Sequence, residues 1–165
     1  MQIKKNWMGI LALTLVFGFT VTGCASREPA PNQPLPYEVG RVTAISNGTI
    51  HEPHEHFLHG MIITEGMFLS ATGIPLSLED VSRQLPEIQY TGNFRVVIDG
   101  SYASSVGFSL YDDSFNPVYR DMANFISPNE AGVYMLCVDV TWSNDANEQP
   151  REFTRIRYIF KLRVS

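Results

Sequence analysis

Two cysteines in a chain of 165 residues are too few for a disulfide-built scaffold. Basic residues are short as well, with 12 Lys and Arg against 17 Asp and Glu and a formal charge of −5. Nucleic-acid binding relies on Lys and Arg to neutralise phosphates, so this balance leaves no footprint for such a partner. A Gly-rich phosphate loop, a dinucleotide fingerprint and a serine elbow are all missing. The longest apolar run, Met8 to Val21, falls short of the roughly 20 residues of a comfortable membrane span. What is present is 44% hydrophobic and 12% aromatic residues, a normal share for one packed domain.

The order of the chain says more than its totals. Lys4 and Lys5 precede the Met8–Val21 run, which together have the layout of an export signal. Val21-Thr22-Gly23-Cys24 then resembles the lipobox of bacterial lipoproteins: a branched apolar residue, two small residues and cysteine. That resemblance implies cleavage before Cys24 and a diacylglycerol on its thiol. Ala25 to Tyr37 follows with Pro29, Pro31, Pro34 and Pro36 among polar residues, a composition suited to a disordered, extended tether.

The expected organisation is therefore a signal peptide over residues 1–23, a lipidated Pro-rich tether over 24–37 and a folded domain over 38–165. Losing Lys4 and Lys5 with the signal leaves ten basic against seventeen acidic residues, a charge of −7. With Cys24 acylated, Cys137 has no partner for an intramolecular disulfide, and the domain rests on its core alone.

The rest of the chain patterns as strands. In Val133–Trp142, Tyr134, Leu136, Val138, Val140 and Trp142 alternate with Val133, Met135, Cys137, Asp139 and Thr141. In Arg155–Val164, Ile156, Tyr158, Phe160, Leu162 and Val164 alternate with Arg155, Arg157, Ile159, Lys161 and Arg163. A period of two predicts strands with one face on the core and the other in water. The polar stretch 143–150 between them predicts an antiparallel hairpin.

Asn47-Gly48, flanked by Gly40–Ser46 and Thr49-Ile50, suits a two-residue type I′ turn. Phe94–Asp99, Ser105–Tyr111 and Pro117–Arg120 read as further strands. Ser77 with Asp80 gives a capping pattern for a short helix over Ser77–Leu85, stopped by Pro86. A mainly β sandwich with one short helix is the expected fold.

Glu130-Ala131-Gly132-Val133-Tyr134 and the two strands after it resemble the end of an immunoglobulin-like sandwich. In that fold a tyrosine at this corner hydrogen-bonds back to the backbone. The residue two after the tyrosine is Leu136 and Cys137 points the other way, so the antibody-type inter-sheet disulfide is missing. The resemblance, confined to residues 128–164, implies the broad class of bacterial immunoglobulin-like domains and carries no site residues with it.

All four histidines fall in nine residues: His51, His54, His56 and His59. Imidazole is the usual nitrogen ligand of zinc and copper, and Glu52 and Glu55 could supply oxygens. A helical turn would bring Glu55 and His59 to one side; an extended segment would bring His54 and His56 together. The plainer reading is a polar loop or strand end, since no established zinc spacing is matched. Clustered imidazoles would also repel one another when protonated. Cys137 reads as a small buried hydrophobe, and a nucleophilic role would need a histidine beside it.

Glu79-Asp80 and Asp112-Asp113 read as helix-start and turn residues. Trp142, Tyr134, Tyr158 and Phe160 read as core rather than as a sugar platform. The expectation is a lipid-anchored protein on the extracytoplasmic side of a bacterial membrane, in the cell envelope. It is expected to act as a non-enzymatic interaction module for a protein partner, without an organic cofactor. Zinc or copper binding through the four histidines is the alternative.

Overall fold

The computed structural model describes residues 39–64, 67–100, 102–144 and 151–165. The signal peptide, Cys24 and the tether lie outside the described residues, as does most of the 143–150 loop. In chain order the elements are β1 (Arg41–Ser46), β2 (Thr49–His51), β3 (His54–Thr64), β4 (Met67–Thr72), α1 (Leu78–Ser82) and β5 (Glu87–Gln89). They continue with β6 (Arg95–Asp99), β7 (Ala103–Tyr111), β8 (Pro117–Met122), β9 (Gly132–Ser143) and β10 (Arg151–Val164). No helix among the described residues is long and apolar enough to cross a membrane.

The described residues form two sheets, packed as a mainly β sandwich with one short helix. The smaller is antiparallel in the order β2-β1-β6. The larger runs β4-β3-β10-β9-β7-β8 with antiparallel neighbours, and β5 adds a short parallel pairing at the end of β10. The turn between β1 and β2 puts Asn47 at φ 50° and Gly48 at φ 79°. Two successive positive φ values are what a type I′ turn demands, and Asn-Gly tolerates them best. Ser77 caps α1 by accepting the Asp80 N–H at 3.3 Å.

The main core lies between the sheets. Val42 and Ala44 from β1 meet Leu110, Leu136, Val138, Val140, Trp142, Ile156, Tyr158, Phe160 and Leu162 from the larger sheet, all buried. Burying each such large apolar side chain stabilises the fold by about 1.5–3 kcal/mol. The Trp142 indole N–H donates to the Tyr158 hydroxyl at 3.0 Å, so neither polar atom is stranded in the core. The indole is clamped by backbone: a Cβ added at Gly40 would stand 2.5 Å from two ring atoms. The Tyr134 hydroxyl donates to the Glu130 carbonyl at 3.0 Å, the corner bond anticipated from the sequence.

One expectation needs correction. The outer face of β9 and β10 was expected to lie in water, but half of it is a second core. Met135, Cys137 and Ile159 are buried there beneath Val81 of α1, with Leu76, Leu78, Leu85, Tyr111 and Phe115 packed around them. The physical reason is the short helix, which lays its apolar side across the sheet. A single-strand pattern cannot show a cover supplied by a distant part of the chain.

The sequence reading also missed β3 beyond the histidines, β4 and β5. Met61, Ile62 and Ile63 pair with Phe153, Glu152 and Arg151 of β10, so the final strand begins four residues earlier than its alternation suggested.

Candidate functional site

Residues directly opposite each other in an antiparallel ladder share a face. On the outer face of the larger sheet, past the second core, that rule assembles a polar floor. Asp139 of β9 lies opposite Arg157 of β10, and Thr141 lies opposite Arg155. His56 of β3 lies opposite Arg157, and His54 lies opposite Ile159. On the other side of β9, Gly107 of β7 faces Asp139 and Ser105 faces Thr141. A Cβ added at Gly107 would meet nothing, so this part of the floor is open above.

His59 joins the same face through an irregularity. The pairing passes from Ile156↔Phe57 to Arg155↔His59, so Leu58 is the extra residue of a bulge in β3. Without the bulge, His59 would lie on the face opposite to His54 and His56. With it, three histidines line one side of β3, facing the outer side of β10.

Asp139 is the anchor of the floor. Its side chain is only 5% exposed and accepts Arg157 Nε at 2.7 Å, Arg157 Nη2 at 2.8 Å and Arg155 Nη2 at 3.1 Å. The two-point contact with Arg157 is the strong, orientation-specific form of a charge-assisted bond. Those hydrogen bonds hold the Arg157 guanidinium above its already high ordinary pKa, against the opposing effect of burial. Arg155 makes a single contact to Asp139 and its side chain stays 46% exposed, which leaves most of its N–H groups turned to solvent.

Partial burial pushes the His56 imidazole below its ordinary value. A hydrogen bond with the Ile74 backbone opposes that shift, and the neighbouring His54 and Arg157 add to it.

The expected site residues are thus divided. His51 sits at the end of β2 in the smaller sheet, apart from the other three. Glu52 pairs with Arg41, and Glu55 lies opposite Tyr158 on the other face of β3 from the histidines. His54 and His56 do share a face, as an extended segment requires. Among the described residues, no three His, Cys, Asp or Glu side chains converge where a metal ion could bind.

Cys137 is fully buried, and desolvation pushes its thiol up to about 12. At that value the thiolate needed for nucleophilic chemistry is scarce near neutrality. Glu79 and Asp80 pair with Arg83 along α1. Asp112 accepts the backbone N–H groups of Ser114 at 3.0 Å and Asn116 at 2.8 Å, closing the β7–β8 turn.

The Asp139–Arg157–Arg155 cluster is what sequence reasoning missed. Its signal was a single acid on one strand of a predicted hairpin, with arginines two apart on the other. Comparison of the chain with family models, with curated proteins and with solved structures finds no match.

Proposed function

We propose that the chain is a lipid-anchored protein of the bacterial cell envelope whose immunoglobulin-like domain is a non-catalytic binding module. One observation carries this reading: the order of basic start, apolar run, Val21-Thr22-Gly23-Cys24, proline-rich segment and then a β-sandwich whose first strand begins at Arg41. An acyl chain on Cys24 partitions into the bilayer, and the proline-rich segment holds the domain clear of the headgroups. The corner bond from Tyr134 to Glu130 supports the immunoglobulin-like assignment.

The outer strand β8 supports a binding role. It ends the larger sheet, and Val118, Met122 and nearby Ile126 are 51%, 37% and 44% exposed. An edge with apolar side chains in solvent is a template for strand addition or for a partner's apolar surface. Burial of Cys137 argues against a nucleophilic enzyme. Metal capture is not favoured, because Arg157 stands opposite His56 and His51 belongs to the other sheet.

The anchor is tested by growing a bacterial host on a clickable palmitate analogue. Label on the wild-type chain and none on Cys24→Ser is expected; an unlabelled wild-type chain overturns the anchoring. Photo-crosslinkers placed at Val118 and Ile126 of the envelope-located chain are expected to trap one specific partner. Failure of both positions to form any adduct counts against the interaction module.

A further inference from the structure

We propose that the polar half of the outer face, built from Arg155, Arg157, His54, His56 and His59, is an acid-favoured contact surface for an anionic bilayer. This rests on the lipid anchor proposed above. The charge on this surface is opposite in sign to that of the molecule. The domain is acidic overall, yet among the described residues Asp139 is the single acid on the floor, and two arginines already outnumber it.

The described elements packed against the histidines bring few other charged groups to the floor. β10 presents Arg155, Arg157 and Ile159 to them, and β9 presents Asp139 and the un-ionised Cys137. β7 contributes Ser105, Gly107 and Ser109, while β4 pairs Thr72 with His59. Tyr111 lies close enough to affect Arg157, and the segment through Ile74 supplies only a carbonyl to His56. No second carboxylate among these residues stands ready to absorb protons gained by the imidazoles. Any proton taken up by the imidazoles therefore adds to a floor that already carries about one net positive charge.

The position of the tether selects the bilayer as the occupant. The chain enters the fold at Gly40, whose backbone abuts the Trp142 ring and the Asp99 carbonyl. Trp142 pairs with Thr154, one step along the ladder from the Thr141–Arg155 pair of the floor. The anchored end of the domain and its basic floor therefore lie at the same end of the larger sheet. From Cys24 to Glu38 is 15 residues, which in an extended proline-rich conformation span roughly 45 Å. That reach lets the domain tip over and lay this face on the headgroups beside its own anchor.

Juxtamembrane basic groups each strengthen adhesion to anionic lipid by about fivefold, and the effect fades within a Debye length. Positive charge gained on this floor should thus strengthen binding by at least about tenfold between pH 7.5 and pH 5.5.

The test uses the processed chain, residues 24–165, with Cys24→Ser so that no lipid contributes. It is co-sedimented with phosphatidylcholine vesicles containing either 30% phosphatidylglycerol or none, at both pH values in about 0.1 M salt. Expected are binding to the anionic vesicles at pH 5.5, at least tenfold weaker binding at pH 7.5, and none to neutral vesicles. Combined Arg155→Gln and His59→Gln should remove most of the acid binding, whereas Arg120→Gln on β8 should leave it unchanged.

Circular dichroism at both pH values identifies the folded samples that are compared. Equal binding to neutral vesicles, no effect of the double variant, or no binding at all overturns the proposal. Release by low-millimolar inorganic phosphate overturns it too, by assigning the floor to a free anion. Because the probe is unlipidated, failure here leaves palmitate labelling of Cys24 as a separate result.

Discussion

The two faces of the larger sheet are built from the same strands and solve different problems. Toward the smaller sheet, Leu136, Val138, Val140 and Trp142 are wholly buried among aliphatic and aromatic neighbours. Away from it, the same strand changes character midway: Met135 and Cys137 lie under α1, and Asp139 is buried between two arginines. An apolar face is stabilised by area removed from water and tolerates its neighbours' identity. An ionic face depends on pairing, because a buried charge without its counter-ion is costly. The inner face should therefore respond to loss of volume, and the outer face to loss of a partner.

The largest effect is expected on the inner face. Trp142→Ala removes the most voluminous core side chain and strands the Tyr158 hydroxyl, and should destabilise by about 4–5 kcal/mol in urea denaturation. Next comes Asp139→Ala, which leaves the partly buried Arg157 without its acid, at about 3 kcal/mol. The comparison is sharpest in the paired change. Asp139→Val with Arg157→Leu should recover most of that loss, because an apolar patch can merge with the second core. If the double variant were as unstable as Asp139→Ala, the two faces would not differ in the way described.

The smallest effect is in pH dependence. Burial and nearby positive groups keep folded His56 below its ordinary value of 6.5, so folding favours the neutral ring. Its contribution is complete above that ordinary value and is lost as pH falls through the lower folded-state value. The ring is only partly buried, which makes this the smallest of the three effects. His56→Gln keeps a donor for the Ile74 carbonyl and should slightly flatten the change in urea midpoint between pH 7.5 and 5. An unchanged slope would show that His56 takes no part in the acid response of the outer face.

How much of this could be read in the sequence follows from what each pattern encodes. The β9–β10 hairpin was legible because both strands alternate over ten residues and each supplies its own half of the core. Asn47-Gly48 was legible because its turn type depends on two residues alone. Ser77 announced α1 through a local cap. The second core was not legible, because covering Met135 and Cys137 requires knowing where α1 docks.

The site was read less well than the fold. The histidines drew notice as a cluster, but their grouping depends on the Leu58 bulge, a defect of pairing and not of composition. Asp139 appeared to be one polar residue on a solvent face. Its role emerges only when β10 brings Arg155 and Arg157 alongside it.

The pairing of β10 has a consequence for how the molecule comes into being. That strand meets β9 along its length, β3 over residues 151–159 and β5 over residues 161–163. Until it arrives, β3 and β4 have no place in the sheet, and Ile88 of β5 has no parallel partner. Every pairing it makes except the hairpin with β9 closes a long stretch of chain, so the ordering of β3–β5 waits on the last described strand. A chain presented from its N-terminus would therefore remain pliable over β3–β5 until residues 151–164 were free to pair. Strand order itself sets the sequence of events, with β3–β5 completed only when the last described strand joins them.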